Sequence, residues 1–220
     1  MTHHPVITID GPAGSGKSTA ARRLAERLGY GFLSSGAIYR AVAWRVLRGT
    51  ALDLALLPRG IEFRGVPTEQ RVLVDGEDVT EALHSEDVSD LASALSQRPD
   101  VRAMADDLQR RLAAVGPTIV EGRDAGTVVF PGAACKFFLD ASLDARVERR
   151  LAESRERGEP GEAETLRGTM AARDTRDRTR TRAPLLRAPR AVYIDSSRMN
   201  VDEVVEHMVE AVERVCSTLR

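Results

Sequence analysis

The sequence predicts an α/β fold of three layers, in which helices cover both faces of a parallel sheet. Short apolar segments typical of buried strands occur at residues 6–10, 118–121, 135–140 and 191–195. Helical periodicity fills the intervals, most clearly at 20–28, 37–48, 101–114, 143–157, 162–178 and 201–219. Strands that alternate with helices in this way indicate a parallel sheet wrapped by helices.

The pattern changes between residues 61 and 79. Short strands are predicted at 61–63, 71–74 and 77–79, and Asp75-Gly76 is a hairpin signal. A small antiparallel sheet is therefore predicted as an insert at about 60–80. We expect a single domain over residues 1–220. Its core comprises 1–33, 100–145 and 180–220, a subdomain with the insert spans 34–99, and a helical lid spans 146–179.

The overall composition argues against several classes of partner. The chain has 32 basic and 33 acidic residues and a net charge of −1, so no global basic field recruits nucleic acid or an anionic membrane. Cys135 and Cys216 lie far apart and are expected to be buried thiols in a reducing compartment. No charged-then-apolar leader is expected, and no stretch reaches the roughly 18 apolar residues of a membrane span. We expect a cytoplasmic protein.

Lysine is almost absent from this chain. Of the 32 basic residues, only Lys17 and Lys136 are lysines. Where any cation would serve, the sequence nearly always uses arginine. A lysine therefore suggests a position that requires a compact ammonium group on a flexible stem.

Lys17 lies in a glycine-rich segment between the first strand and the first helix. The pattern G-x-x-x-x-G-K-[ST] matches within Gly11-Pro12-Ala13-Gly14-Ser15-Gly16-Lys17-Ser18-Thr19. Such a loop turns backbone N–H groups toward phosphate oxygens, while the lysine reaches the β- and γ-phosphates and the Ser18 hydroxyl ligates Mg²⁺. An ordinary glycine-rich turn would not need Lys17 and Ser18 in register. The segment predicts a P-loop NTPase core that binds ATP with Mg²⁺.

A second cluster packs arginines beside aspartates at residues 170–180. If the segment is helical, Arg173, Asp177 and Arg180 share one face at i, i+4 and i+7. That face is suited to grip a phosphate while Asp177 accepts from a hydroxyl group. The alternative is a solvated helix whose arginines make surface salt bridges.

Two further clusters follow predicted strands or begin predicted helices. In Glu121-Gly122-Arg123-Asp124, Arg123 is a candidate for phosphate charge and Asp124 for an exocyclic amine, at the sheet edge where ligands bind. Glu121 either orients a water on Mg²⁺ or is an ordinary loop carboxylate. In Ser34-Ser35-Gly36-Ala37-Ile38-Tyr39-Arg40, Ser35 is expected to cap the next helix, with or without a role in binding.

These motifs, in this order, resemble the bacterial cytidylate kinase family over nearly the whole chain. The resemblance implies ATP-dependent phosphorylation of CMP and dCMP, with the insert on the monophosphate-binding part. It assigns the monophosphate to Ser35, Arg40, Arg123 and Arg180, and its phosphate and sugar to Arg173 and Asp177. It assigns cytosine to Ser93, Arg102 and Asp124, and ATP to Arg149, with Arg146 as a second candidate. Ser34 stands where the family often has aspartate.

The implied chemistry needs no nucleophilic serine or histidine, because the acceptor phosphate is already an anion. Catalysis is expected to be positioning and charge stabilisation by Lys17, Arg123, Arg173 and Arg180 under a closing lid. A GTPase would need Asn-Lys-x-Asp, which neither lysine provides. A P-loop scaffold that binds nucleotide without transferring a phosphoryl group would need no acceptor site, whereas the arginines and Asp124 define one here. An AMP or UMP kinase is the remaining alternative, and a monomer is expected.

Overall fold

A five-stranded parallel sheet forms the centre of the molecule. The computed structural model describes residues 4–156, 158 and 161–218, so the predicted helix ends at 157 and 219 lie outside it. The strands are β1 (Val6–Asp10), β2 (Gly31–Ser34), β6 (Thr118–Gly122), β7 (Cys135–Asp140) and β8 (Val192–Asp195). Their order is β2-β6-β1-β7-β8, and every pairing is parallel. All five carboxyl ends therefore meet at one edge.

Helices cover both faces of this sheet, as predicted. One face is covered by α1 (Lys17–Leu28) and α7 (Val201–Thr218), whose Leu24 and Met208 pack with Ile9 and Phe137. The other face is covered by α2 (Ser35–Leu47) and α4 (Pro99–Ala113), and α3 (Glu86–Leu95) packs against α2. After β7, the helices α5 (Leu143–Glu156) and α6 (Ala163–Thr179) pack against each other. The three-layer α/β prediction is confirmed.

Two expectations from the sequence concern membrane spans and the burial of the cysteines. Within the described ranges, no helix is both long and apolar enough to cross a membrane. Cys135 is buried in β7, as expected, whereas the side chain of Cys216 lies outside the described part of the chain.

The small antiparallel sheet also forms as predicted. Its strands are β3 (Ile61–Arg64), β4 (Arg71–Val74) and β5 (Glu77–Asp78), and Asp75-Gly76 connects the last two. Arg45 of α2 fixes the sheet to the rest of the molecule. Its guanidinium donates to the carbonyls of Leu56 and Leu57 and pairs with Asp75. The insert is thus attached to α2 through Arg45.

The sequence does not predict strand β2 or helix α3. Strand β2 has only four residues and lies on the edge of the sheet, so its apolar run is too short to stand out. Half of the ten residues of helix α3 are polar, and its buried positions are Val88, Ala92 and Leu95. Their spacing is helical, but three buried positions are a weak signal in so short a segment.

Asp10 joins the end of β1 to the segment after β6. Its carboxylate, 2% exposed, accepts from the N–H groups of Ala125 at 2.9 Å and Gly126 at 2.7 Å. These donors open a short π-helix, Ala125–Val129. Burial raises the pKa of Asp10 from 3.8 to about 6, although both hydrogen bonds oppose the shift. One side chain thereby links the end of β1 to the segment that leaves β6.

This pKa makes the stability of the fold depend on pH. The folded protein binds the Asp10 proton more tightly than the unfolded chain, so Asp10 contributes stability below about pH 4 that is lost as pH rises through about 6. Relative to Asp10→Asn, the wild type should lose about 2–3 kcal/mol of unfolding free energy between pH 4 and pH 7. Urea titrations at each pH measure this. A parallel pH dependence in both proteins would contradict the assignment, and exposed Asp87→Asn is the control.

Candidate active site

The glycine-rich segment forms a loop from the end of β1 to the start of α1. We call residues 11–19 the phosphate loop. Gly16 is the N-cap of α1 with a φ of 83°, and none of the described side chains caps the helix. Gly14 has a φ of 76°, and a Cβ there would come within 2.9 Å of Met170 Cε on α6. The first N–H groups of α1 are therefore available to an anion, as the sequence predicts.

Lys17 is the first residue of α1 and lies inside the loop. It is 5% exposed, and its Nζ donates to the carbonyl of Pro12 at 3.1 Å. Burial lowers its pKa to about 7, with the positive charge of Arg123 adding to the effect and the carboxylate of Glu121 opposing it. The ammonium group thus lies in a dry site where an incoming phosphate would stabilise its charge.

The residues around the loop fit Mg²⁺ that arrives with a nucleotide. Ser18 is exposed in the first turn of α1, and the buried Ser15 hydroxyl has no hydrogen-bond partner in the described part of the chain. Among the described residues, no group of three histidine, cysteine, aspartate or glutamate side chains could hold a metal by itself. A serine hydroxyl suits an ion held mainly by phosphate oxygens, which is the usual arrangement for Mg²⁺.

Two arginines of α5 lie beside the phosphate loop and differ in accessibility. Arg149 donates to the hydroxyl of Ser196 at 3.1 Å and to its carbonyl, and its Nη1 lies 3.7 Å from the Cβ position of Gly16. Arg146 is 3% exposed, and its nitrogens donate to the carbonyls of Ala141 and Ala13 and to Asp174 Oδ2, the last at 2.6 Å. Arg149 remains beside the loop surface, whereas Arg146 fastens the loop to α6.

Cations from three other elements gather next to Lys17. Arg123 follows β6 and pairs with Asp177 of α6, Nε to Oδ2 at 3.0 Å. Burial lowers the pKa of Arg173 to about 10, and repulsion by Arg123 contributes. Burial also lowers the pKa of Arg40, although the charge of Glu121 opposes it. The site therefore concentrates positive charge that its own carboxylates do not fully neutralise.

The second group of predicted residues centres on Asp124. This carboxylate is 8% exposed and binds two arginines, Arg102 through Oδ2 and Arg180 through Oδ1, the latter at 3.2 Å. Arg102 also donates to the carbonyl of Ser96 at 3.4 Å. Ser93 is half-buried one turn earlier, and its carbonyl accepts from the Ser96 hydroxyl. Arg102 and Asp124 thus lie in one network, which reaches the backbone carbonyl of Ser93 through Ser96.

One of two local predictions is wrong. The N-cap of α2 is Ser34, whose backbone is extended and whose Oγ accepts from Ala37 N at 3.3 Å, while Ser35 is already helical. The Ser35 hydroxyl instead lies 2.8 Å from the Cβ position of Gly122. Arg180 is the C-cap of α6, which ends at Thr179. Its N–H still donates to the Arg176 carbonyl and its φ of −59° is helical, so it keeps the predicted face with Arg173 and Asp177, and its ψ of 136° turns only the chain that follows. The chain after α6 turns back on the helix, where the N–H of Leu185 donates to the carbonyl of Asp177.

Sequence reasoning missed the residues that hold the site together. Asp10 is not a sequence candidate, although it lies at the end of a parallel strand next to the strand that ends with the candidate Glu121. Carboxylates at the ends of neighbouring parallel strands are a pattern that could have identified it. The Arg146–Asp174 pair joins two helices across 28 residues of sequence. Nothing in the spacing of these two residues indicates a contact.

Comparison with known proteins agrees with this geometry. Residues 7–214 match the family model described as cytidylate kinase. A cytidylate kinase from Geobacillus kaustophilus is 43% identical over 217 residues, covering 95% of this chain and 97% of that protein. One from an Exiguobacterium strain is 42% identical over 216 residues, covering 95% and 96%. A solved structure of an uncharacterized protein from Eubacterium ventriosum, 13% identical, shares the fold with a TM-score of 0.57 over 96% of this chain and 99% of that one. The chain therefore belongs to the cytidylate kinase family.

Proposed function

We propose that the protein transfers the γ-phosphoryl group of ATP directly onto the phosphate of CMP or dCMP, producing CDP or dCDP and ADP in cytoplasmic pyrimidine metabolism. One observation carries the proposal. Lys17 in the phosphate loop shares its electrostatic environment with Arg123 and Arg173, which come from the β6 end and from α6. A site that gathers cations from the phosphate loop, the β6 end and α6 suits a reaction between two anions.

The chain's contribution to this reaction is to hold and neutralise phosphates. Loop N–H groups and Lys17 hold the β- and γ-phosphates, while Arg40, Arg123 and Arg173 hold the acceptor phosphate. Mg²⁺ bound with ATP supplies further charge on those oxygens, and Ser18 is the residue that would hold it. Asp177 is placed to accept from a ribose hydroxyl. The acceptor oxygen already carries negative charge, so no general base is required.

The network around Asp124 supports a cytosine-specific pocket. An ionised carboxylate can only accept hydrogen bonds, and cytosine presents an amino group where uracil presents a carbonyl. Arg102 and Arg180 are placed to donate to the remaining base edge or to the phosphate. The 34–99 subdomain supplies Ser93 and the 146–179 lid supplies Arg149. We propose that both close over the core of a monomer and exclude water.

A nucleotide panel tests this function. ADP release from ATP and Mg²⁺ is measured alone and with CMP, dCMP, UMP or AMP. The proposal predicts little release without acceptor and the highest kcat/KM with CMP or dCMP. Preference for AMP or UMP would identify a different kinase, acceptor-independent hydrolysis would indicate a GTPase-like enzyme, and no release at all would indicate a nucleotide-binding scaffold.

The buried position of Lys17 predicts that even arginine cannot replace it. Lys17→Arg preserves the charge, but a guanidinium is too wide for a site 5% exposed and closed by the Pro12 carbonyl. We expect kcat to fall by roughly 10²–10³. Lys136→Arg, at the only other lysine, is the matched control and should keep wild-type turnover. A Lys17→Arg protein with more than half of the wild-type kcat would refute this role.

The acceptor-side residues predict a selective kinetic effect. Alanine at Arg173, Asp177 or Arg180 should raise the KM for CMP or lower kcat, while the dissociation constant for ATP changes little. Arg167→Ala removes an exposed ion pair with Asp144 on the same pair of helices and should change neither. Weaker ATP binding alone in the Arg180 variant would place that residue on the donor side.

Base choice is predicted to depend on Asp124. Asp124→Asn should lower kcat/KM for CMP and narrow the CMP-to-UMP ratio by at least about tenfold, because the amide can donate to the uracil O4. If Asp124 serves only to hold Arg102 and Arg180, both substrates should lose activity equally. Steady-state kinetics with both substrates distinguish the two outcomes, and an unchanged ratio would remove Asp124 from base recognition.

A further inference from the structure

Both oxygens of the Asp124 carboxylate already accept hydrogen bonds in this structure. Oδ2 accepts from Arg102, and Oδ1 accepts from Arg180 at 3.2 Å. The proposed function places the amino group of cytosine on the same carboxylate. Since an amino group binds only by donating its protons, it competes there with two guanidinium groups. Binding of cytosine is therefore easiest if one of the two arginines finds another partner.

Arg102 is the arginine with the weaker second hydrogen bond. Arg180 also donates its Nε to the carbonyl of Ala183. The second hydrogen bond of Arg102, to the carbonyl of Ser96, is 3.4 Å long. Arg102 is only 6% exposed, so little water reaches it to replace a lost partner. A guanidinium group that leaves Asp124 at this depth needs another carboxylate close by, because an unpaired buried charge is costly.

Asp106 is a carboxylate within reach of Arg102. It lies one turn later on the same face of α4, and helical side chains lean toward the N-terminus, here toward the Arg102 turn. Its Oδ1 is buried and has no hydrogen-bond partner in the part of the chain that the structure describes. Burial raises the pKa of Asp106, and the charge of Asp124 adds to the shift. The charge of Arg102 opposes this shift more strongly than the charges of Arg110 and Arg180 do.

The hydrogen bonds of the fold do not account for the Asp106 carboxylate. A buried oxygen without a partner is unfavourable, so Asp106 lowers the stability of this structure. Its neighbour Asp107 is exposed and pairs with Arg111 at 3.0 Å, so it carries no such cost. An acceptor that is unused here is better explained by a state in which Arg102 has moved.

We propose that Asp106 is a positioning residue that contributes to base specificity, because its carboxylate receives the Arg102 guanidinium when the amino group of cytosine binds Asp124. This inference rests on the proposed function. The exchange keeps Arg102 paired and leaves Asp124 Oδ2 for the base. Uracil has no amino group to donate, so it gains nothing from the exchange. Asp106 acts through Arg102 and contacts no nucleotide.

A double-mutant cycle tests the proposal, with Asp106→Asn made in the wild type and in Arg102→Ala. Measurements are kcat and KM with CMP and with UMP, the dissociation constant for ATP, and the melting temperature. Asp106→Asn should raise the KM for CMP by roughly 10-fold, because a neutral amide is a weaker acceptor for a guanidinium group. The kcat/KM for UMP and the ATP dissociation constant should stay within about threefold. In the Arg102→Ala background, the same change should leave the KM for CMP within about twofold.

The melting temperature separates positioning from a structural role. Asp106→Asn and Asp106→Leu both remove a desolvated charge, so the proposal predicts melting temperatures equal to or above that of the wild type. A structural role predicts lower melting temperatures and equal losses with CMP and UMP. Asp106→Leu carries the kinetic test if Asp106→Asn does not fold.

Asp107→Asn is the matched control for loss of a negative charge from α4. Asp107 is adjacent in sequence, and its ion pair with Arg111 is exposed. The control should leave kcat, the KM for CMP and the CMP-to-UMP ratio within about twofold of wild type.

Two results would overturn the proposal: an unchanged CMP-to-UMP ratio in Asp106→Asn, or the same loss with CMP in the wild-type and Arg102→Ala backgrounds. The nucleotide panel with wild-type protein separates this failure from that of the proposed function. If the wild type phosphorylates no nucleoside monophosphate, or prefers UMP or AMP, the proposed function fails and this inference fails with it. If the wild type prefers CMP and the cycle is additive, only the role of Asp106 is contradicted.

Discussion

Repulsion among desolvated cations is the constraint around which the site is built. Lys17, Arg40, Arg123 and Arg173 converge from four elements, and burial lowers the pKa values of Lys17 to about 7 and of Arg173 to about 10. Holding such groups together without substrate is unfavourable, because each has lost water and gained like-charged neighbours. Glu121 and Asp177 offset part of this cost. The remaining positive charge is what two phosphate groups would neutralise.

The framework supplies the rigidity that such a site needs. The parallel strands β1 and β6 end side by side, so Asp10 and Glu121 reach the same edge, and Asp10 fixes the segment that carries Arg123 and Asp124. Arg146 joins the phosphate loop to α6 through the Ala13 carbonyl and Asp174. Buried ion pairs of this kind contribute little net stability. Their consequence here is that the Asp174 turn of α6 is tied to the phosphate loop in this structure.

The parts of the structure that the sequence predicts are those with local signals. The phosphate loop is one contiguous pattern, and the hairpin at Asp75-Gly76 is a dipeptide. The hydrogen-bond partners of polar side chains have no local signal in the sequence. Ser34 and Glu121 are 87 residues apart, and Arg102 and Asp124 are 22 residues apart. Such pairs arise from strand order and helix packing. The sequence places the cap of α2 one residue too late, because two serines in a row offer the same chemistry and only backbone geometry separates them.

The central claim is that the free protein holds uncompensated cationic charge in a dry phosphate site. With only two lysines, the claim can be measured on a single residue by NMR of protein labelled with ¹³C at lysine Cε, and Lys136→Arg assigns the signals. In the free protein, the Lys17 signal should titrate near pH 7, and saturation with ADP should move that pKa upward by several units. A Lys17 pKa near 10.5 in the free protein, unchanged by nucleotide, would contradict the account.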